Sequence, residues 1–417
     1  MCPLRSRMTG KVVIYAINPS MTANDNDHRG LLPAGLADLL PPDAAREARA
    51  VDIAIERFAA FGYERVKPPL VEFEESLLGG PGAALAPQTF RLMDPVSQRM
   101  MGVRPDMTVQ VARIAVTRLK HEPRPLRLSY GGNVIRVRGT ALKPERQFAQ
   151  VGSELIGVDS ADADAEAVLL AVDALRAVGV ADLSVDLNLP TLVAAVAAGL
   201  KLSAETLRRV RRALDRKDEG GIAKALGDGQ GSSKGDSNKK AADLLVGLLR
   251  AAGPAEPGIA RLTALKLPAA AAAEAARLAE VVKLVRAADE DLPMTLDPVE
   301  YRGLEYQTGV SFSVFGLKGR EELARGGRYS AGYPEDGVSE PATGFTLYMD
   351  AVLSASDTAP ERPRLFLPPG TPWSEAAPWQ AKGYAVVRGV TAVDDPRTEA
   401  RRLRCSHALI DQQAIPL

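Results

Sequence analysis

LRLSYGGNVIRVRGTALKPERQFAQVGSELIG, residues 126–157, decides how the chain is read. Two segments with period-two alternation flank a polar loop, Gly139 to Arg146, which predicts an antiparallel hairpin with a long tip. On the second segment Phe148, Gln150, Gly152, Glu154 and Ile156 share one face, because successive side chains of a strand point to opposite sides. Gln150 and Glu154 therefore point the same way with a glycine between them. Their backbones are ~13 Å apart at strand rise, room for a small polar ligand. Arg136, on the first segment, can supply a cation to the same floor. By pattern alone, an amphipathic strand with a solvated polar face has the same signature.

The chain has 417 residues, enough for two or three domains. Lysine plus arginine equals aspartate plus glutamate at 52 each, so the net charge is zero and no basic block marks a nucleic-acid binder. The cluster Arg208 to Arg212 reads as the solvated face of a helix. The two cysteines, Cys2 and Cys405, lie at opposite ends, and three histidines form no metal-ligand spacing. A reduced cytoplasmic compartment fits, with no metal and no cofactor expected. No apolar run approaches the ~20 residues that span a bilayer. Residues 1–30 read as a flexible extension, with Met8 or Met21 as alternative starts; the short run VVIYAI lacks the features of a secretory signal.

Upstream of the hairpin, Asp43 is expected to cap a helix over Ala44 to Phe61 that Gly62 ends, and a strand at Glu64 to Lys67 runs into Pro68 and Pro69. Two short strands joined at Asp94 to Ser97 lead to Arg104, Pro105, Asp106, Met107 and Thr108, and Val109 to Lys120 has helical character. Asp106 and Thr108 are also ordinary helix-capping residues. Downstream, an amphipathic helix stops at Gly179 and DLSVDLNL follows as a strand. From Pro190 to about Asp291 alanine and leucine dominate at helical periods, interrupted by a glycine-serine loop at Gly227 to Lys239. No strand precedes that loop, which argues against a phosphate-binding role.

The hairpin with Arg136 and FAQVGSELIG resembles motif 2 of class II aminoacyl-tRNA synthetases in their histidyl form. It is closer still to the paralogous family that serves as regulatory subunits of ATP phosphoribosyltransferase. Helix, strand and proline at 43–69 resemble the dimer-forming motif 1. RPDMT, residues 104–108, matches the paralog's version of the RPE-x-T element, whose acid and threonine hold the amino group of histidine. YRGLEYQ, GGRY at Gly326 to Tyr329 and EPATGFTLYMDA resemble, in order, the histidine-specific RGLDYY element, the GGRYD element and motif 3. The resemblance implies an α+β fold, an antiparallel class II synthetase-like sheet flanked by helices, over 31–189 and 292–356. It further implies a helical insertion at 190–291 and a small C-terminal α/β domain at 361–417. Histidine-binding roles pass to Asp106, Thr108, Arg136, Gln150, Glu154, Arg302, Tyr306 and Tyr329. Chemistry agrees: a free amino acid needs a carboxylate for its ammonium, an arginine for its carboxylate and a polar partner for its imidazole.

The departures matter as much. Motif 3 in an active synthetase resembles GxxxGxER, and here Tyr348 replaces the second glycine and Ala351 the ATP-clamping arginine. Arg138 replaces the acid that reads adenine. Losing one preorganised group on a developing charge typically costs ~10² or more in rate. A histidine pocket kept while the ATP pocket is dismantled implies a non-catalytic regulatory subunit. Such a subunit dimerises, joins short-form catalytic subunits in a hetero-oligomer, and gives histidine feedback on the first step of histidine biosynthesis. The alternatives are an active ligase adenylating histidine and an assembly scaffold with a vestigial pocket. Gln307, in place of the second tyrosine of RGLDYY, bears on affinity or ring selectivity. The remnant after Pro360 is shorter than the ~90 residues of an anticodon-binding domain and is not basic, so neither nucleic acid nor membrane is an expected partner.

Overall fold

In the computed structural model, the described residues are 30–139, 143–227, 233–300, 307–317, 321–333, 337–356 and 362–417. The expected extension falls outside them except at Gly30. Helix α1 (Asp43–Ala60) is followed by β1 (Glu64–Arg65), β2 (Val71–Phe73), α2 (Glu74–Leu77), β3 (Phe90–Met93), β4 (Met100–Val103) and α3 (Thr108–Thr117). The hairpin strands are β5 (Leu126–Ile135) and β6 (Gln147–Ile156), joined as the alternation predicts, and α4 (Ala161–Val178) and β7 (Leu183–Asn188) come next. A helical stretch holds α5 (Leu192–Gly199), α6 (Ala204–Asp215), α7 (Glu219–Leu226), α8 (Ser233–Arg250), β8 (Gly253–Pro254), α9 (Ala255–Thr263) and α10 (Ala269–Ala288). Strands β9 (Met294–Asp297), β10 (Gln307–Gly316), β11 (Glu322–Tyr333) and β12 (Val338–Tyr348) then lead into α11 (Met349–Ala355).

The main sheet has nine strands in the order β1-β5-β6-β12-β11-β10-β7-β9-β8. Its central pairs are antiparallel, and among the described residues only β1 with β5 and β7 with β9 pair in parallel. The fold is the α+β arrangement expected. Alternation gives the sheet two different faces. Ala149 and Val151 of β6 and Phe345 and Leu347 of β12 join α1, α4 and α10 in the principal core. There Phe58, fully buried, meets Phe345 edge-on at 5.5 Å between ring centroids. The opposite face carries Leu128, Tyr130, Ile156, Tyr329 and Ala342 under Met107, Val111 and Ala115 of the α3 segment. This second face is thinner and holds polar groups.

Several local expectations change. Asp43 does not cap α1: Pro42 takes the cap position, and Asp43 sits in the first turn, where it pairs with Arg46 at 3.0 Å. Helix α3 stops at Thr117, short of Lys120. The expected loop Gly227 to Lys239 is helical from Ser233 onward, although residues 228–232 lie outside the described set. Ser, Gly and Asn are weak helix formers. Burial of Leu245 and Leu248 farther along α8 supplies what propensity does not, since tertiary packing carries most helix stability.

Residues 357–417 form a separate compact unit. Its described strands β13 (Arg364–Leu367), β14 (Ala385–Arg388), β15 (His407–Ile410) and β16 (Gln413–Pro416) run in the order β14-β13-β15-β16. Helices α12 (Ala376–Ala381) and α13 (Pro396–Arg402) complete it. The first of these and the final strand were not read from the sequence.

Truncating Phe58 to alanine removes the aromatic contact that ties α1 to β12. We expect a stability loss of about 3–5 kcal/mol in chemical denaturation. A loss near zero is incompatible with this packing.

Candidate functional site

The second sheet face gathers polar side chains around one buried carboxyl. Glu154, on β6, is 1% exposed. It accepts hydrogen bonds from the hydroxyls of Tyr130 at 3.2 Å and Tyr329 at 3.0 Å. Burial pushes its pKa up to about 8 against the pull of those hydroxyls, and the nearby charge of Asp106 adds to the rise. Among the described residues no arginine or lysine pairs with it. Tyr130 has one proton to give, so its lone pairs face the hydroxyls of Thr108 at 3.1 Å and Thr346 at 2.8 Å.

Space for this network comes from glycine. Gly344 lies opposite Glu154 in the β6–β12 register, and a Cβ there would run into the Glu154 carboxylate. Gly152 lies opposite Tyr130 across the hairpin, and a Cβ there would run into the phenol oxygen. Glycine at both positions is a steric requirement of the pocket rather than of a turn.

The RPDMT element approaches from the start of α3. Asp106 Oδ1 accepts from the Thr108 backbone N–H at 2.8 Å, and its Oδ2 accepts from Gln150 Nε2 at 2.9 Å. Gln150 is fully buried, and its Oε1 accepts from the Met107 N–H at 3.1 Å. It therefore stands behind Asp106 and orients it. Arg104 anchors the loop through the Asn133 carbonyl at 2.8 Å and the Pro68 carbonyl at 3.0 Å.

Of the eight residues named from the sequence, Asp106, Thr108, Gln150, Glu154 and Tyr329 are thus joined in one hydrogen-bonded group. Arg136 is adjacent: its Nε reaches the Pro105 carbonyl at 3.4 Å, while its guanidinium lies 4.9 Å from the Phe148 ring centroid. Arg302 and Tyr306 lie outside the described residues. Tyr130 and Thr346 were missed. The available signal was the pairing of a large aromatic with a glycine across the hairpin, Tyr130 against Gly152.

Comparison with known proteins places the chain. The sequence profile described as histidyl-tRNA synthetase matches residues 35–352. A protein of Rhodospirillum centenum named ATP phosphoribosyltransferase regulatory subunit is 54% identical over 94% of this chain and 95% of its own. One of the same name from Paramagnetospirillum magneticum is 52% identical, over 92% and 97%. The chain belongs to the ATP phosphoribosyltransferase regulatory subunits. A crystal structure from Bacillus halodurans, titled as an ATP phosphoribosyltransferase regulatory subunit/histidyl-tRNA synthetase, shares the fold with a TM-score of 0.75 at 25% identity. That match covers 89% of this chain and 96% of the other. Histidyl-tRNA synthetase from Nostoc shares the fold at 17% identity, with a TM-score of 0.73 over 91% of each chain.

Membership in the regulatory subunits makes the role of this synthetase paralog non-catalytic, and the region matching motif 3 agrees. Tyr348 ends β12 opposite Gln150 and meets Phe148 edge-on at 6.3 Å between centroids. The ammonium of Lys143 lies 4.9 Å from the Tyr348 ring centroid. Burial raises the Tyr348 phenol to about 12, so it stays neutral. Ala351 is 3% exposed in the main core, on α11. A tyrosine and a core alanine thus stand where the synthetase motif has a glycine and an arginine.

Because the Glu154 carboxyl is raised in the folded state, its neutral form contributes stability that is complete below its ordinary value near 4.5. That contribution is lost as pH rises through about 8. We expect the thermal midpoint of the ligand-free protein to fall over this window, and Glu154→Gln to flatten the fall. Parallel curves for the two proteins contradict a buried neutral Glu154.

Proposed function

We propose that this chain binds free L-histidine in the pocket around Glu154 and conveys its level to a short-form ATP phosphoribosyltransferase catalytic subunit. The observation that carries the reading is a desolvated carboxyl with two tyrosine donors and, among the described residues, no cation paired with it. A protein interior keeps such a group only at a cost of several kcal/mol, and perturbed carboxyls cluster at functional sites. An imidazole offers the missing partner, since its ring N–H donates to Glu154 and its protonated form neutralises the charge. Asp106 and the Thr108 hydroxyl, both partly accessible at the pocket rim, suit the ammonium. Arg136 suits the carboxylate once it leaves the face of Phe148, and Arg302 and Tyr306 keep the roles the family resemblance gives them.

In this reading the chain dimerises through the region of α1 and β1 and assembles with catalytic subunits into a cytoplasmic hetero-oligomer. No helix among the described residues is long and apolar enough to cross a membrane. Histidine occupancy shifts that assembly toward an inhibited state, and a coupling of ~1–3 kcal/mol suffices for feedback. The first step of histidine biosynthesis is then throttled by its end product.

We expect Glu154→Ala to abolish the response of the assembled transferase to histidine while the variant still co-purifies with the catalytic chain. Full inhibition of that variant by histidine means that the ligand sits elsewhere. The pocket chemistry also fixes a proton balance. With Glu154 near 8 and free imidazole near 6.5, the complex shares one proton between them. Calorimetry in buffers of different ionisation enthalpy should show proton release on binding below about pH 6.5. Uptake is expected above about pH 8, with little exchange between. Histidine-dependent exchange of pyrophosphate into ATP should be absent.

A further inference from the structure

We infer that Arg277, on helix α10, is a positioning residue for the proposed histidine pocket, acting through Asp164 and Arg328 on Tyr329. The inference rests on the reading of the pocket given above. Tyr329 and Arg328 are neighbours on β11 and so project from opposite faces of the sheet. Tyr329 donates to Glu154 on the pocket face. Arg328, 5% exposed, is held on the other face by nearly every donor it has. Its Nε donates to Asp164 Oδ1 at 3.0 Å, and its Nη2 lies 2.8 Å from the same oxygen. Its Nη1 donates to the Val158 carbonyl and its Nη2 to the Ser160 carbonyl, each at 3.1 Å, with Asp159 at 3.2 Å from Nη1.

Those partners belong to the entry of α4. Ser160 caps that helix, and Asp164, 2% exposed, sits in its first turn, where a negative charge is favoured by the helix dipole. The guanidinium of Arg277 reaches the same two aspartates from the helical stretch: Nη1 is 2.5 Å from Asp159 and 3.6 Å from Asp164. Two arginines therefore share two carboxylates, one set buried and one at the rim of a cavity of about 490 Å³ lined by Glu274, Arg277 and Arg328.

A guanidinium with its donors committed in this way cannot turn without breaking charge-assisted hydrogen bonds. The backbone of β11 at Arg328 is thus pinned from behind, and the Tyr329 hydroxyl inherits that position on the pocket side. Any displacement of α10 pulls on Asp159 and Asp164 and hence on the same strand.

Arg277 is the member to test because its side chain is 28% exposed and its removal leaves Asp164 paired with Arg328. Titration calorimetry of the full chain with L-histidine is compared for wild type, Arg277→Ala, Arg277→Lys, Tyr329→Phe and the double variant Arg277→Ala with Tyr329→Phe. We expect Arg277→Ala to weaken binding about five- to tenfold, the lower range of site-to-site coupling, and Arg277→Lys to recover most of it. In the Tyr329→Phe background the same truncation should cost less than twofold, since the route ends at the missing hydroxyl. Wild-type affinity in Arg277→Ala overturns the inference and leaves the pocket reading intact, as does an undiminished loss in the Tyr329→Phe background. Absence of binding by the wild type overturns both. Should Arg277→Ala fail to fold, Arg277→Gln is measured against the same criteria.

Discussion

A carboxyl buried against two tyrosine hydroxyls, with no cation paired to it among the described residues, is the constraint around which this site is built. Glu154 is kept neutral by burial and hydrogen-bonded by two tyrosines, one on the adjacent hairpin strand β5 and one on β11. Tyr130 precedes it by 24 positions and Tyr329 follows it by 175. Two glycines make room for that convergence, at 152 beneath the phenol and at 344 beneath the carboxylate. Substituting around the carboxyl therefore means disturbing four strands together, β5, β6, β11 and β12.

The sheet divides its labour by face. One face is covered by α1, α4 and α10 with alanine, valine and leucine, and it supplies most of the buried apolar area. The other has the short α3 over it and retains Asp106, Thr108, Gln150 and Glu154. The strands between the two faces are shared. Some residues of the site therefore have a neighbour in the core, as Gln150 has Val151 and Thr346 has Leu347. Rigidity of the site comes from that neighbour, which is how a thin cover can hold a precise arrangement of hydroxyls.

The hairpin and its acidic face were legible because strand alternation states which side chains point together. The stop of α4 at Gly179 was legible because a left-handed residue there needs glycine, and its φ is 105°. Tyr130 was not legible in the same way. Within LRLSYGG it reads as one more strand aromatic, and its partners on β6 and β12 are set by the assembled sheet. Gln150 was read from the sequence as a side chain on the face of Glu154, but its part in orienting Asp106 depends on a loop 44 residues away. The helix α8 was hidden by its glycine-serine start, because composition records local preference and not the packing of Leu245 and Leu248 that overrides it. The cap of α1 went to Pro42, a choice that local chemistry alone would have given to Asp43.

The Tyr348 ring has a consequence for what such a pocket reports. In the synthetases that the chain resembles, the pocket takes two ligands, the amino acid and ATP. Here the position of the synthetase glycine carries Tyr348, packed edge-on against Phe148 with Arg136 over the Phe148 ring and Lys143 over its own. For a sensor of the kind proposed, a ring in that place favours a signal that follows one concentration, that of the amino acid.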